Sequence, residues 1–335
     1  MAHVKWFLSR PESEILKEPK PSLFTHLSLD NLIPILFVFG LMLLVLAIGI
    51  KWKGSELNER LLLQAQIHEA VINLCMAFMF GVSLVYCGIT KTLLVPNFII
   101  CSHCPQWLPG AEIILGVLIT VGLFSRLCSL SIFYLAFMAL CKHGFDDCLD
   151  LMPLLGLNLY FLLAGRNRLS LDYILRIDRL EVPWLLETAY LFIRWTMGLG
   201  LIILALNEKL LYPQLAMDIL EHVPALNILH YFGFSNAMFV LISGLAELLL
   251  GFCLLSGSFP RLAVMFLLGI FASTTAVFGL SELFGHASCY AIILSILLRG
   301  EGISPVLLFC HLRRKFADWF STNRLKQYVV SARQS

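Results

Sequence analysis

Ala111-Glu112-Ile113-Ile114-Leu115-Gly116, continued by Gly122, Phe124 and Arg126, returns 135 positions later as Ala246-Glu247-Leu248-Leu249-Leu250-Gly251, continued by Gly257, Phe259 and Arg261. Each copy sets one carboxylate into an apolar run and one arginine at the run's far end. Hydrocarbon tolerates a carboxylate poorly, so its recurrence marks a membrane unit built twice around an ionisable residue. Gly165 and Gly300 both end the fourth helix of a group and keep the same spacing of 135, whereas Glu69 and Lys91 match Glu187 and Lys209 at a separation of 118. The loop between the first and second helices is therefore about 17 residues longer in the second copy, a length change that loops tolerate and helices do not.

Composition agrees with a lipid environment. Hydrophobic residues are 59% of the 335-residue chain, charged residues 14%, and the mean hydropathy is +0.84, more apolar surface than a soluble core could bury. A formal net charge of +2 gives no general attraction to nucleic acid. The N-terminus does not read as a secretory signal, because Lys5, Arg10, Lys17 and Lys20 are mixed with Glu12, Glu14 and Glu18 before the first apolar run. That run, residues 31–50, is long enough to cross a bilayer and has no counterpart in the second copy.

The expected fold is all-α and polytopic, with two parallel four-helix units and one extra N-terminal hydrophobic segment. The first unit, 67–165, places helices near 68–94, 109–124, 127–141 and 151–164; the second, 183–300, places them near 183–211, 236–256, 262–280 and 286–298. Residues 1–66 form a polar N-terminus plus the extra segment, and 166–182 a charged connector that cannot sit in hydrocarbon. Residues 301–335 form a basic amphipathic tail, in which Phe316, Trp319 and Phe320 alternate with Arg313, Arg314, Lys315, Arg324 and Lys326, suited to an anionic membrane surface or to a soluble partner. Arg126, the connector, Arg261, Arg299 and the tail fall on one face, which the positive-inside rule makes cytoplasmic, in the inner cell membrane. Loops 95–108, 142–150, 212–235 and 281–285 then face outward; the side of the N-terminus stays open, since a crossing segment would put it outside despite its basic residues, whereas a re-entrant or surface-lying segment would not.

These motifs resemble a known family. A first helix ending in Lys and Pro (Lys91, Pro96; Lys209, Pro213), a second helix carrying Glu-x3-Gly-x5-Gly-x3-Arg, and a Gly285-His286 step before the last helix are similar to the DoxX/DoxD family of four-helix membrane proteins. The resemblance spans 69–300 and implies a tandem of two fused units. The Gly-His step is missing from the first copy, which reads His143-Gly144-Phe145-Asp146-Asp147 there. Members include membrane subunits associated with thiosulfate:quinone oxidoreduction and with thiol stress. The resemblance therefore implies a redox accessory or an oxidoreductase subunit linked to quinone or thiols, with quinone as its cofactor and a soluble redox protein as its partner. The alternative is a non-enzymatic carrier or scaffold for a lipophilic solute or a protein, so an enzymatic role stays open.

Five intramembrane positions are candidate polar sites: Glu112, Glu247, Lys91, Lys209 and His286. Lys91 and Lys209 end the helix before each carboxylate on the same side, so a Lys-Glu pair in each copy would either fix helix register or serve a proton or a polar head group. Arg126 and Arg261 read as anchors that snorkel to phosphate head groups. Cys101-Ser102-His103-Cys104-Pro105, in the first outward loop, is a candidate dithiol. A structural disulfide, a redox-active pair, a mixed metal site completed by His143 and Cys148, and free thiols are the open readings; with no second Cys-x2-Cys, a four-thiolate zinc site is disfavoured. The remaining cysteines read as small hydrophobes at helix contacts, Cys148 excepted. No P-loop, dinucleotide fingerprint, His-Glu-x2-His or Gly-x-Ser-x-Gly is present, which leaves nothing to suggest nucleotide hydrolysis or esterase chemistry.

Overall fold

The computed structural model describes residues 4–25, 29–52, 69–100, 105–145, 147–165, 169–177 and 183–299. The principal helices are α1 (Leu29–Trp52), α2 (Glu69–Thr90), α3 (Leu108–Val121), α4 (Ser125–His143), α5 (Met152–Ala164), α6 (Pro183–Ala205), α7 (Pro213–His222), α8 (Asn236–Ser256), α9 (Pro260–Phe278), α10 (Leu280–Gly285) and α11 (Ala287–Arg299). Six of the described helical segments are long and apolar enough to cross a membrane: Glu69–Thr90, Ser125–His143, Asp147–Ala164, Leu185–Leu211, Asn236–Ser256 and Pro260–Phe278. The protein is an all-helical polytopic membrane protein. Leu43, Phe78, Phe137, Met265 and Phe266 stand on its exposed faces, as side chains bathed in lipid do.

The helices close into one body with a shared core. α2 packs on α3 and α6 on α8, but the first helix of each half also packs on the last helix of the other: α2 meets α11, and α6 meets α5. One continuous cluster accordingly joins Phe80, Leu84, Tyr160 and Phe161 of the first half to Tyr190, Met197, Phe271 and Ile292 of the second. Small residues permit the tightest crossings. A Cβ on Gly116 would lie 2.6 Å from the Gly81 carbonyl oxygen, and one on Gly251 would lie 2.7 Å from that of Gly198. In the membrane such close approach is a main source of helix affinity.

Both halves turn between their second and third helices in the same way. Gly122 (φ 71°) and Gly257 (φ 67°) close α3 and α8 in the left-handed region, and Phe124 and Phe259 follow at φ 51° and 53°. A left-handed Phe is strained. In the first half the strain is offset by the connector, whose Asp172 carboxylate accepts hydrogen bonds from the Phe124 and Ser125 amides at 2.7 and 2.9 Å and from the Ser125 hydroxyl at 2.8 Å. The connector end thus has a buried structural part: Asp172 is 1% exposed and caps α4.

The opposite, loop end gathers residues 91–100, 105–108, 142–145, 147–151, 212–235 and 279–286. Phe98 stacks on His143 at 4.3 Å, Asn97 donates to Asp150, and Tyr86 stacks on Phe284. The longer loop of the second half folds into α7, whose Leu215, Ala216, Ile219 and Leu220 are buried. The N-terminal segment, expected only as a polar lead-in, docks on this helix. Val4 and Ile15 are fully buried against it, and Ser9 and Arg10 bond to Asp218. Lys5 reaches Glu12 and Asp147, so the strap bridges both halves at the loop end.

Candidate functional site

Most of the buried ionisable side chains among the described residues lie at the loop end. α6 finishes in a π turn, Leu206–Leu211, which widens the helix by one residue and turns both Glu208 and Lys209 inward, each 1% exposed. The Lys209 ammonium pairs with Glu247, the carboxylate of the repeated motif on α8. Glu208 accepts the backbone amide of Val4 at 2.8 Å, which ties the N-terminal strap to the turn that presents Lys209.

The first half is built differently. α2 ends without a π turn at Thr90, and Lys91 enters the left-handed region (φ 57°) with its side chain exposed. The Lys91–Glu112 pair expected from the sequence does not form, because this backbone turn carries the ammonium away from α3. Glu112 is fully buried and its Oε1 instead accepts the Leu94 amide at 2.7 Å. Its Oε2 has no hydrogen-bond partner among the described residues.

His286, 1% exposed, lies between α10 and α11. Its Nδ1 is 3.2 Å from both the carbonyl and the carboxylate of Glu282, and its ring leans on Phe271. No cluster of three or more His, Cys, Asp or Glu side chains positioned for a metal ion occurs among the described residues. Cys101, His103 and Cys104 lie outside the described residues. Cys87, Cys128, Cys253 and Cys289 are buried in helix contacts, Cys75 and Cys148 are half-buried, and Cys141 is exposed.

A second polar cluster, at the connector end, was not singled out from the sequence. Arg299 closes α11 and pairs with Glu69 of α2 and Glu187 of α6, the two matched acidic residues of the first helices. Its guanidinium lies 3.6 Å over the Tyr190 ring. The Tyr190 hydroxyl donates to Glu69 at 2.7 Å, the Tyr160 hydroxyl to that of Tyr190, and Asn73 to Tyr160. The register of Glu69 with Glu187 was the available signal, while nothing local marks Asn73, Tyr160 or Tyr190 as polar partners. Arg126 and Arg261, expected as head-group anchors, also make contacts within the protein. Arg126 donates to the Leu163 carbonyl, and Arg261 to those of Leu297 and Leu298, so each closes the open end of its half's fourth helix.

A buried ion pair, a buried carboxyl bonded only through one oxygen and a His-Glu contact therefore share one end of the bundle. Such an arrangement can hold charge or protons near the membrane boundary. No curated protein and no solved structure matches the chain. Residues 73–193, from α2 into α6, match the family described as TQO small subunit DoxD, which is what this segment of the chain is similar to.

Proposed function

We propose that the protein is an integral-membrane redox accessory, a subunit that serves an oxidoreductase linked to quinone or to thiols. The observation that carries the reading is the DoxD match over 73–193, the segment that contains Glu112. The second half repeats the motif around Glu247 and its matching Gly and Phe turn, which supports reading the chain as two fused units, 67–165 and 183–300, joined by the connector 166–182. The concentration of buried ionisable groups at the loop end gives such a subunit places to manage protons that accompany electron transfer. The basic connector and tail belong on the cytoplasmic face under the positive-inside rule, which puts the loop end and the dithiol Cys101-x2-Cys104 on the outer face of the cell membrane.

The test is purification of the full chain in mild detergent, followed by identification of co-purifying lipophiles and proteins. A bound quinone, or a soluble or membrane-bound oxidoreductase recovered in stoichiometric amount, is the expected result. Recovery of the chain alone, with no change in the redox state of Cys101 and Cys104 when quinone or thiol donors are supplied, would overturn the reading and leave a carrier or scaffold.

A further inference from the structure

Glu112 and Glu247 occupy the same place in the repeated motif, yet their surroundings make them different chemical species. Glu247 faces the Lys209 ammonium. Among the described residues no cation pairs with Glu112: Lys91 is turned outward, and the one hydrogen bond to the carboxyl comes from the Leu94 amide. Cys87, fully buried on α2, is its titratable neighbour, and a thiol supplies no positive charge. An ionised carboxylate with a single amide donor, no cation and an oxygen left bare is strongly disfavoured away from water, whereas a carboxylic acid needs no counter-charge.

We propose that Glu112 is a proton-holding site, a neutral carboxylic acid buried at the loop end, while Glu247 is the ionised partner of Lys209. The ligand of the first half's carboxyl is a proton. The assignment does not rest on the redox reading, since it concerns protonation alone.

A lipophilic carbodiimide such as dicyclohexylcarbodiimide distinguishes the two species. The acid's proton passes to one carbodiimide nitrogen and its oxygen bonds to the central carbon. The acyl group then migrates from oxygen to nitrogen, leaving an N-acylurea that retains every atom of the reagent. A salt-bridged carboxylate has no proton to begin this addition. The full chain in detergent is treated at neutral pH and mapped by peptide mass spectrometry. The expected result is an adduct on Glu112 and none on Glu247, with Lys209→Met turning Glu247 into a second labelled position. Labelling of Glu247 in place of Glu112 in the native protein overturns the proposal. So does an unlabelled Glu112 in the Lys209→Met protein when Glu247 reacts. Where the reagent reaches neither carboxyl, infrared spectroscopy decides. Glu112→Gln, which keeps an acceptor for the Leu94 amide, should abolish a protonated-carboxyl carbonyl band, and persistence of every such band overturns the assignment.

Discussion

Removing Glu247 while leaving Lys209 in place strands an ammonium in the protein interior. Both side chains of the pair are almost completely buried, Lys209 at 1% and Glu247 at 3% exposure. Two unit charges about 4 Å apart attract by about 4 kcal/mol at an effective dielectric constant near 20. Breaking one side of a buried pair typically costs about 3–5 kcal/mol, most of it the penalty for the unpaired charge. Glu247→Ala is therefore expected to lose about 3–5 kcal/mol. Adding Lys209→Met should recover part of the loss, because the double variant buries no charge and Met follows the apolar stem of Lys. The assay is equilibrium unfolding in mixed micelles by denaturing detergent for the native protein, the two single variants and the double. Additivity of the single losses to within about 0.5 kcal/mol would show that the two groups are not coupled and would refute the reasoning.

Cysteine scanning of a background lacking native cysteines should label positions 97–107 and 215–232 from one side of the membrane and 168–177 from the other; labelling of the two long loops from opposite sides would break the proposed topology. Cys101 and Cys104 should form a disulfide that opens and closes across a redox-buffer series read by alkylation mass spectrometry, and two permanently reduced thiols unmoved by oxidant would remove the dithiol from the mechanism. Burial alone would raise the Asp218 carboxyl, but hydrogen bonds from Ser9 and Arg10 outweigh it and hold the group below its ordinary value of 3.8. A lowered carboxyl stabilises the docked strap fully above its free value and loses that contribution as pH falls through the lowered one. A spin label at the exposed Ser13 should therefore become mobile on that fall and be mobile already near neutral pH in Asp218→Asn, while a label that stays immobile throughout would show that Asp218 does not hold the strap.

The spans were legible because apolar runs of helix length and the recurring Glu-Gly-Gly-Arg spacing are local signals. α8 lies where the sequence places it, and α9 departs by two residues at each end. Lys209 beside Glu247 was legible too, from order along the chain and a shared side of the membrane. Lys91 was not, because its direction depends on whether the preceding helix ends in a π turn or in a left-handed residue, a choice made by packing against the following loop. The strap was misjudged for a related reason. Its charges dominate the local composition, but Val4 and Ile15 find an apolar partner only after the inserted loop has folded into α7. Arg299, Glu69, Glu187 and Tyr190 come from three helices far apart in sequence, so no window of residues could show their convergence.

The two halves agree where backbone meets backbone and diverge where side chains meet loops. Gly116 against Gly81 and Gly251 against Gly198 leave no room for a Cβ, and the left-handed Phe124 and Phe259 turn both chains alike; a change at either feature displaces a whole helix. At the loop end the constraint is weaker, because the connection after the first helix differs in length and only the second half has α7, the helix on which the strap docks. There the same carboxylate position acquired an ammonium partner in one half and a single amide donor in the other. The packing that keeps the halves alike in shape therefore leaves them free to differ in charge, and a chain built this way can hold a proton on one side of its core and a fixed ion pair on the other without altering its helices.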